Sequence, residues 1–389
     1  MMGNPSLSNS PVLSDQRPTW AEIDRDALAA NFHIVKDHVG SDVNVMAVVK
    51  ANAYGHGAVE CARRLEADGA DWFGVALPEE GIELRNAGIT KPILCLAGFW
   101  GGQATACLER NLVPAVYRLD LIEALDRAAR ERGIVAGVHV KVDTGMGRLG
   151  VRFDEVPEFA VALKRFANIR VDGLMTHFAA ADEPSCGPLT KDQIQRFENV
   201  LAVFREHGFQ PAYHHLANSA GIFSQPAAWG NMVRPGGVLY GLWRDILAPA
   251  DRSESFQPVM SLHSRITLLK WVPSGETVGY GCTFEASRQT LVATIPLGYD
   301  DGYMRALSNR GHAIIRGVFA TVIGRISMDL TLIDVTNVPD VQLDDEVILL
   351  GRDAGLSITA EELARTAGML SYEVTCGISE RVPRVYGSG

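Results

Sequence analysis

From Trp20 to about residue 240 the chain alternates between two hydrophobic rhythms. Short apolar runs recur at Val43–Lys50, Trp72–Leu77, Pro92–Ala97, Leu112–Tyr117, Val138–Asp143, Val171–Phe178, Tyr213–Ser219 and Met232–Gly237. They read as strands. Between them, Ala58–Ala67, Glu79–Asn86, Asp120–Arg132, Glu155–Ala167 and Asp192–His207 carry apolar residues at helical spacing. Eight such units over roughly 220 residues predict an α/β fold with a (β/α)8 barrel, and the count of eight favours it over a doubly wound sheet.

The rhythm changes after about residue 250. Ser261–Trp271, Leu291–Pro296, Ala313–Val318, Thr321–Asp334 and Glu346–Leu350 are strand-like, with Gly and Asp turns between them. Only Thr359–Ala367 reads as clearly helical, capped by Ser357 or Thr359. This predicts a separate, mainly β domain. Residues 1–18 are rich in Ser, Pro and Asn and read as a flexible tail. The expected division is a tail over 1–18, a barrel over 19–250 and a β domain over 251–389.

Composition narrows the function classes. Of 389 residues, 47% are hydrophobic and 21% charged, as in an ordinary globular protein. The net charge of −10 provides no broad positive field for nucleic acid or anionic lipid. Six scattered cysteines form no C-x-x-C pair and no zinc spacing, so no metal site is expected and a reducing, cytoplasmic setting is. The N-terminus has no apolar signal core, and no apolar run is long enough to span a membrane.

Candidate chemistry gathers where barrel enzymes keep it, at strand C-termini. Lys50 ends the first run among small residues (Ala51, Asn52, Ala53, Gly55, Gly57) that leave room for a bound group. A desolvated lysine there can form a Schiff base; taken alone, it would only snorkel to solvent. In the fifth run His139, Lys141 and Asp143 alternate and face one side. A buried lysine needs compensation, either carbamylation that turns it into an anion for Arg148 or an ion pair with Asp143. Gly145-x-Gly147-x-x-Gly150 matches the dinucleotide fingerprint formally, but it follows the fifth strand rather than an opening βαβ unit. His177 ends the sixth run. Asn218, Ser219, Gly236 and Gly237 follow the seventh and eighth, where barrels often bind phosphate. Arg234 beside them keeps its proton, so a heteroaromatic nitrogen facing it stays unprotonated. Schiff-base lysine, phosphate site and ring-nitrogen partner together describe pyridoxal phosphate. His214 and His215 point to opposite faces and are poor candidates for one metal.

The motifs VVKANAYGHG, KVDTGMGRLG, THFAAAD, LANSAG, RPGGVLYG, VGYGCTF, PLGYDDGY, GRISMD and SYEVTCGISERVPR occur in this order between Trp20 and Tyr386. In them the chain resembles the alanine racemases, pyridoxal phosphate enzymes with a barrel and a C-terminal β domain. The resemblance implies interconversion of L- and D-alanine, supplying D-alanine for peptidoglycan, in a cytoplasmic homodimer. It makes Lys50 the cofactor lysine and the base for the D-face proton. It makes Tyr280, from the partner subunit, the base for the L-face proton. Tyr54, Ser219, Gly236, Gly237 and Tyr372 match cofactor-phosphate contacts, Asn218 lies in the same loop, and Arg234 faces the pyridine nitrogen. His177 orients the tyrosine. Arg148 contacts the cofactor's phenolic oxygen and the substrate carboxylate, with a carbamylated Lys141 positioning it. Met328 and Asp329 are substrate-side residues from the partner. Asp182, Tyr299, Arg305 and Arg325 fall in the entrance corridor.

Two bases on opposite faces are what inversion requires. Tyrosine, with an unperturbed pKa of about 10, needs help to act as one. The chain departs from the family pattern at Gly237, Cys282, Asp300, Ser327 and Leu330. These leave the catalytic groups intact but bear on pocket size, so serine and broader amino-acid racemisation stand as alternatives. A barrel-only cofactor carrier and an amino-acid decarboxylase fit less well, because the chain carries the β domain and its VGYG tyrosine.

Overall fold

The computed structural model describes residues 17–249 and 256–387. The chain divides into two compact units, Ala27–Gln257 and a second made of the segment up to Asp26 with Pro258 onward. The expected boundaries at 19 and 250 therefore shift. Strand β1 (Thr19–Ile23) hydrogen-bonds to strands near the C-terminus, so it belongs to the β unit and not to the barrel. Of the expected tail, residues 1–16 lie outside the described residues; Arg17 makes a bidentate ion pair with Asp301.

The barrel unit contains all eight expected strands. They are β2 (Asn44–Val48), β3 (Trp72–Val75), β4 (Ile93–Cys95), β5 (Leu112–Val116), β6 (Ala136–Asp143), β8 (Ile169–Met175), β9 (Tyr213–His215) and β10 (Met232–Val233). A two-residue strand, β7 (Val151–Arg152), pairs only with β6. The order is β10-β2-β3-β4-β5-β6-β8-β9, and every pair is parallel. The ends of this path meet through Asn231 N–H to His214 O (3.1 Å) and Arg234 N–H to Ala217 O (3.0 Å). Met46, Trp72, Leu94, Ala115, Met175 and Met232 pack inside, one from each of six strands. That is a filled core, as eight parallel strands require.

Most apolar runs overreach their strands at the C-terminal end. The seventh run extends to Ser219, but β9 stops at His215, because Asn218 caps the short helix α9 (Ser219–Ser224) by accepting from Gly221 N–H at 2.9 Å. Helix α3 (Ala58–Ala67) matches its expected span. Helices α1 (Arg25–Val39) and α5 (Ala104–Glu109) were not expected.

The β unit is one long sheet, ordered β12-β15-β18-β17-β16-β19-β11-β1-β21. Its strands are β11 (Met260–Arg265), β12 (Leu268–Val272), β15 (Thr290–Ile295), β16 (His312–Ile315), β17 (Val318–Val322), β18 (Thr331–Asp334), β19 (Glu346–Asp353) and β21 (Arg384–Tyr386), with β20 (Leu356–Ile358) pairing β19. The apolar run Ser261–Trp271 is thus two strands, and so is the stretch from 321 to 334, because turns interrupt what reads as continuous. Helix α10 (Ala360–Ala367) starts at Thr359, whose hydroxyl accepts from Glu362 N–H (3.2 Å) while Glu362 accepts from Thr359 N–H (2.9 Å). A further helix, α11 (Ser371–Gly377), carries Tyr372. A small hairpin, β13 (Thr277–Val278) and β14 (Phe284–Glu285), covers a core of Val272, Val278, Ala286, Val292 and Ile323 and holds Tyr280 at its tip.

Candidate active site

Lys50 follows β2 and opens a turn, α2 (Lys50–Tyr54), that runs the wrong way for L-residues. Ala51, Asn52, Ala53 and Tyr54 have φ of 51, 53, 54 and 54°. Left-handed backbone costs roughly 1–2 kcal/mol per residue, so four in succession need anchors. Ala51 N–H donates to Glu80 Oε1 (2.7 Å), and Ala58 N–H donates to Asn52 Oδ1 (2.7 Å). The other Glu80 oxygen accepts from Ala76 and Leu77 N–H at 2.6 and 3.1 Å. Glu80 therefore ties the lysine turn to the residues after β3. Sequence reasoning missed it, although a Glu two residues after Pro78 at a helix start is a capping signal.

Tyr54, Ser219 and Gly236 converge. Gly236 N–H donates to Ser219 Oγ (2.9 Å), and a Cβ on Gly236 would lie 2.5 Å from the Tyr54 hydroxyl. The Tyr54 ring packs on Tyr240, whose hydroxyl donates to Val48 O (2.9 Å). Gly237 continues this side-chain-free backbone. Asn218 serves the α9 cap.

Arg234 is the most constrained group in the mouth. It is buried, and no carboxylate pairs with it among the described residues. NH1 donates to His215 Nδ1 and His215 O, both at 2.8 Å. NH2 donates to Thr176 O (2.6 Å) and Leu216 O (2.9 Å), with His177 Nδ1 at 3.3 Å. Only Nε–H lacks a partner among the described residues. Burial alone draws the guanidinium down to about 9, still protonated at neutral pH. His177 and His215 are pushed well below the ordinary histidine value by burial and then by Arg234, so both are neutral. Arginine can only donate, so the Nδ1 of each histidine presents a lone pair and Nε2 carries the hydrogen.

Lys141 is also buried. Burial, then Arg234 and Arg148, push its amine well below the ordinary lysine value. Among the described residues no ion pair joins it to Asp143. Instead Asp143 Oδ1 accepts from Gly145 and Gly147 N–H at 3.0 Å each, which closes the β6–β7 loop on itself. The glycines there serve close backbone approach, since a Cβ on Gly150 would lie 2.5 Å from Asp143 N. Arg148 is exposed on this loop and makes no hydrogen bond with the described residues. Lys50, Lys141, Arg148 and Arg234 all depress His177, so they share one electropositive mouth suited to anions. Asp182 lies half-buried between β8 and α8 (Gly187–Glu206).

The remaining expected residues gather in the β unit. Tyr280, Tyr299, Arg305, Arg325, Met328 and Asp329 line one cleft of about 760 Å³. Gly279 adopts φ 78°, ψ −177°, a glycine-only conformation that turns the chain into Tyr280. A Cβ on Gly281 would lie 2.8 Å from Arg325. Tyr280 is 74% exposed and Met328 50%. Tyr372 is half-buried on α11. Arg381 was missed at the sequence level. It donates to Asp329 Oδ1 (2.8 Å) and to Asp300, and lies 3.5 Å from the buried Asp301. It therefore fixes the Met328–Asp329 corner, where Ser327 O accepts from Tyr299 N–H (3.0 Å) and Met328 O accepts from Asp300 N–H (3.1 Å).

Comparison with known proteins gives the family over most of the chain. Residues 23–243 match the family described as alanine racemase, N-terminal domain, and residues 259–386 match alanine racemase, C-terminal domain. An alanine racemase of Citrifermentans bemidjiense is 46% identical over 381 residues, covering 96% of this chain and 99% of that protein. One from Symbiobacterium thermophilum is 44% identical over 96% of this chain and 98% of its own. Among solved structures, the alanine racemase of Clostridium difficile 630 has a TM-score of 0.89 at 37% identity, covering 96% of each chain. That of Bacillus anthracis with bound L-Ala-P has a TM-score of 0.91 at 32% identity, covering 97% of this chain and 96% of that one. The chain belongs to the alanine racemase family.

Proposed function

We propose that this chain interconverts L- and D-alanine with pyridoxal 5'-phosphate, in a site that a second copy of the chain completes. The observation that carries the reading is Arg234, a buried cation with every N–H committed except Nε–H. That is the donor a pyridine nitrogen requires. When bound, the cofactor takes up the substrate amine and draws electrons from its α-carbon. The residues present fit it. Lys50 holds it through the amine, and Tyr54, Ser219 and the Gly236–Gly237 backbone receive its phosphate, with Asn218 shaping that loop and Tyr372 reaching the same group. Arg234 keeps its own proton, so the ring nitrogen stays unprotonated, and proton return to the α-carbon is favoured over side reactions.

The protein's groups then divide the proton work. Lys50 handles the proton on one face of the substrate, and Tyr280 of the second copy handles it on the other. Neutral His177, with Nδ1 turned to Arg234, offers Nε2–H to the tyrosine oxygen and stabilises it as an anion. Arg148 binds the substrate carboxylate. The Lys141 amine, whose proton burial and the neighbouring cations loosen, is set to attack carbon dioxide once deprotonated, forming an N–C bond and releasing a proton, and the resulting carbamate holds Arg148. Met328 and Asp329 close the substrate side, and Asp182, Tyr299, Arg305 and Arg325 line the approach. The exposure of Tyr280 supports its serving another copy. The bulk of Tyr280, Tyr299, Met328 and Tyr372 favours a methyl side chain. Among the described residues no helix is long and apolar enough to cross a membrane. With six cysteines and no disulfide among the described residues, this supports work in the cytoplasm on D-alanine supply.

The test is incubation with pyridoxal phosphate and L-alanine in D2O. Deuterium at the α-carbon together with D-alanine is the expected result. Deuteration with retained L-configuration would remove the two-face assignment, and no exchange with alanine but exchange with serine would move the substrate.

A further inference from the structure

We propose that His139 is a positioning residue for Arg234, acting by accepting the Nε2–H that Arg234 dictates on His215 and so holding the His215 ring in place. It rests on the reading of Arg234 above and adds a residue that touches neither cofactor nor substrate. The geometry is a buried chain of three groups: His139 Nδ1 lies 2.8 Å from His215 Nε2, and His215 Nδ1 lies 2.8 Å from Arg234 NH1.

Hydrogen placement along this chain is determined from one end. A guanidinium only donates, so His215 Nδ1 must accept. A neutral imidazole has one N–H, so that of His215 is on Nε2 and points at His139. His139 Nδ1 must then accept, and its own hydrogen goes to Nε2. That Nε2 is buried and has no partner among the described residues. The fold thus leaves one N–H unsatisfied at the far end to keep a lone pair facing Arg234. The opposite tautomer of His215 would set two N–H donors against each other at 2.8 Å. Burial holds His139 at about 3, so it stays neutral through the physiological range.

The seat of His139 is specific as well. The β6–β8 register slips between Val138 and His139, pairing Val138 with Val171 and His139 with Gly173, so Asp172 is the extra residue. The bulge brings Gly173 against the His139 ring, where a Cβ would lie 2.5 Å from Nδ1. Trp72 and Tyr213 pack on the ring at centroid distances of 5.3 and 5.7 Å. A glycine opposite, two aromatics around and one nitrogen aimed at His215 fix the ring's orientation as well as its volume.

The test uses holoenzyme labelled with ¹⁵N-histidine, with ring nitrogen shifts as the readout. His215 is expected as the Nε2–H tautomer in the wild type. His139→Phe keeps a ring but removes the acceptor, so the His215 Nε2–H loses its partner and its nitrogen shift should move, the ring no longer being held against Arg234. The ratio of transamination to racemisation should rise by about tenfold with KM for alanine little changed. His139→Asn, whose amide oxygen can stand in for Nδ1, should restore both. Should His139→Phe unfold, Gly173→Ala displaces the ring while retaining it, and the same changes are expected. An unmoved His215 Nε2 shift in His139→Phe, with unaltered partitioning, would reduce His139 to a core filler. A charged or Nδ1–H His215 in the wild type would overturn the proposal outright. The nitrogen shifts do not depend on turnover, so failure of alanine racemisation itself would be seen separately.

Discussion

The barrel mouth and the cleft of the β unit hold the two halves of the candidate site in opposite ways. In the mouth, Arg234 and His215 are buried and bonded on nearly every side. In the cleft, Tyr280 and Met328 stand largely in solvent on glycine-shaped backbone. Changes in the mouth therefore alter folding and chemistry together. Changes in the cleft alter chemistry alone. The first half must hold a charge in low dielectric, where position has to be enforced by many bonds. The second presents side chains to another molecule, so only its backbone needs enforcement.

The largest effects test whether the halves cooperate across copies. Lys50→Ala should lower kcat by roughly 10³-fold or more, and Tyr280→Phe by roughly 10²–10⁴-fold. Unfolding the two variants together and refolding them at equal amounts should restore up to about a quarter of the wild-type rate, because half the dimers are mixed and each mixed dimer has one intact site. No recovery would place both bases in one copy. The next effect is on stability. Arg234→Leu strands His215 Nδ1 and the Thr176 and Leu216 carbonyl groups, at about 1–3 kcal/mol for each buried unsatisfied group. Urea unfolding should show a loss of about 3 kcal/mol or more. Tyr280→Phe should stay within about 0.5 kcal/mol of wild type. Equal losses would erase the distinction between mouth and cleft.

Acid should also separate the two regions. His139 titrates at about 3 in the fold, against about 6.5 unfolded, because burial disfavours its charged form. A depressed folded value means the unfolded chain binds the extra proton first. The associated stability is complete above pH 6.5 and falls as pH drops towards 3. Between pH 6.5 and pH 5 this histidine alone should remove about 2 kcal/mol. Denaturant midpoints across that range, compared with His139→Asn, isolate its share. A pH-independent difference between the two proteins would contradict a neutral, buried His139.

Much of this was legible in the sequence, for identifiable reasons. The barrel strands are buried on both sides and read as apolar runs, so all eight were found. Their C-terminal limits were not, because Asn218 and Val49 leave the strand for a cap and a left-handed turn without any change in hydropathy. β1 was misassigned because strand pairing with Met260–Arg265 is non-local. The candidate site residues lie on motifs and could be named from the sequence. The residues that hold them could not: Glu80, His215 as the Arg234 partner, and Arg381 act through contacts distant in sequence. The ion pair with Asp143 that stood as an alternative for Lys141 is not formed among the described residues, because Asp143 Oδ1 accepts from backbone N–H groups, a local loop effect that side-chain alternation does not encode.

The smallest expected effect concerns Asp300, one of the positions that depart from the pattern of the resemblance. Arg381 reaches Asp300, Asp329 and Asp301 together, and the Asp300 and Asp329 carboxylates are about half exposed. Asp300→Ala removes one partner while Asp329 keeps its 2.8 Å bond, so the Met328 corner should stay in place. KM for alanine should move by less than about twofold, as for most exposed ion pairs. Arg381→Ala releases Asp329 itself and should raise KM more than Asp300→Ala while leaving the fold intact. If instead Asp300→Ala matched Arg381→Ala in KM, the corner would depend on the whole charge network. The cleft would then be as tightly enforced as the barrel mouth.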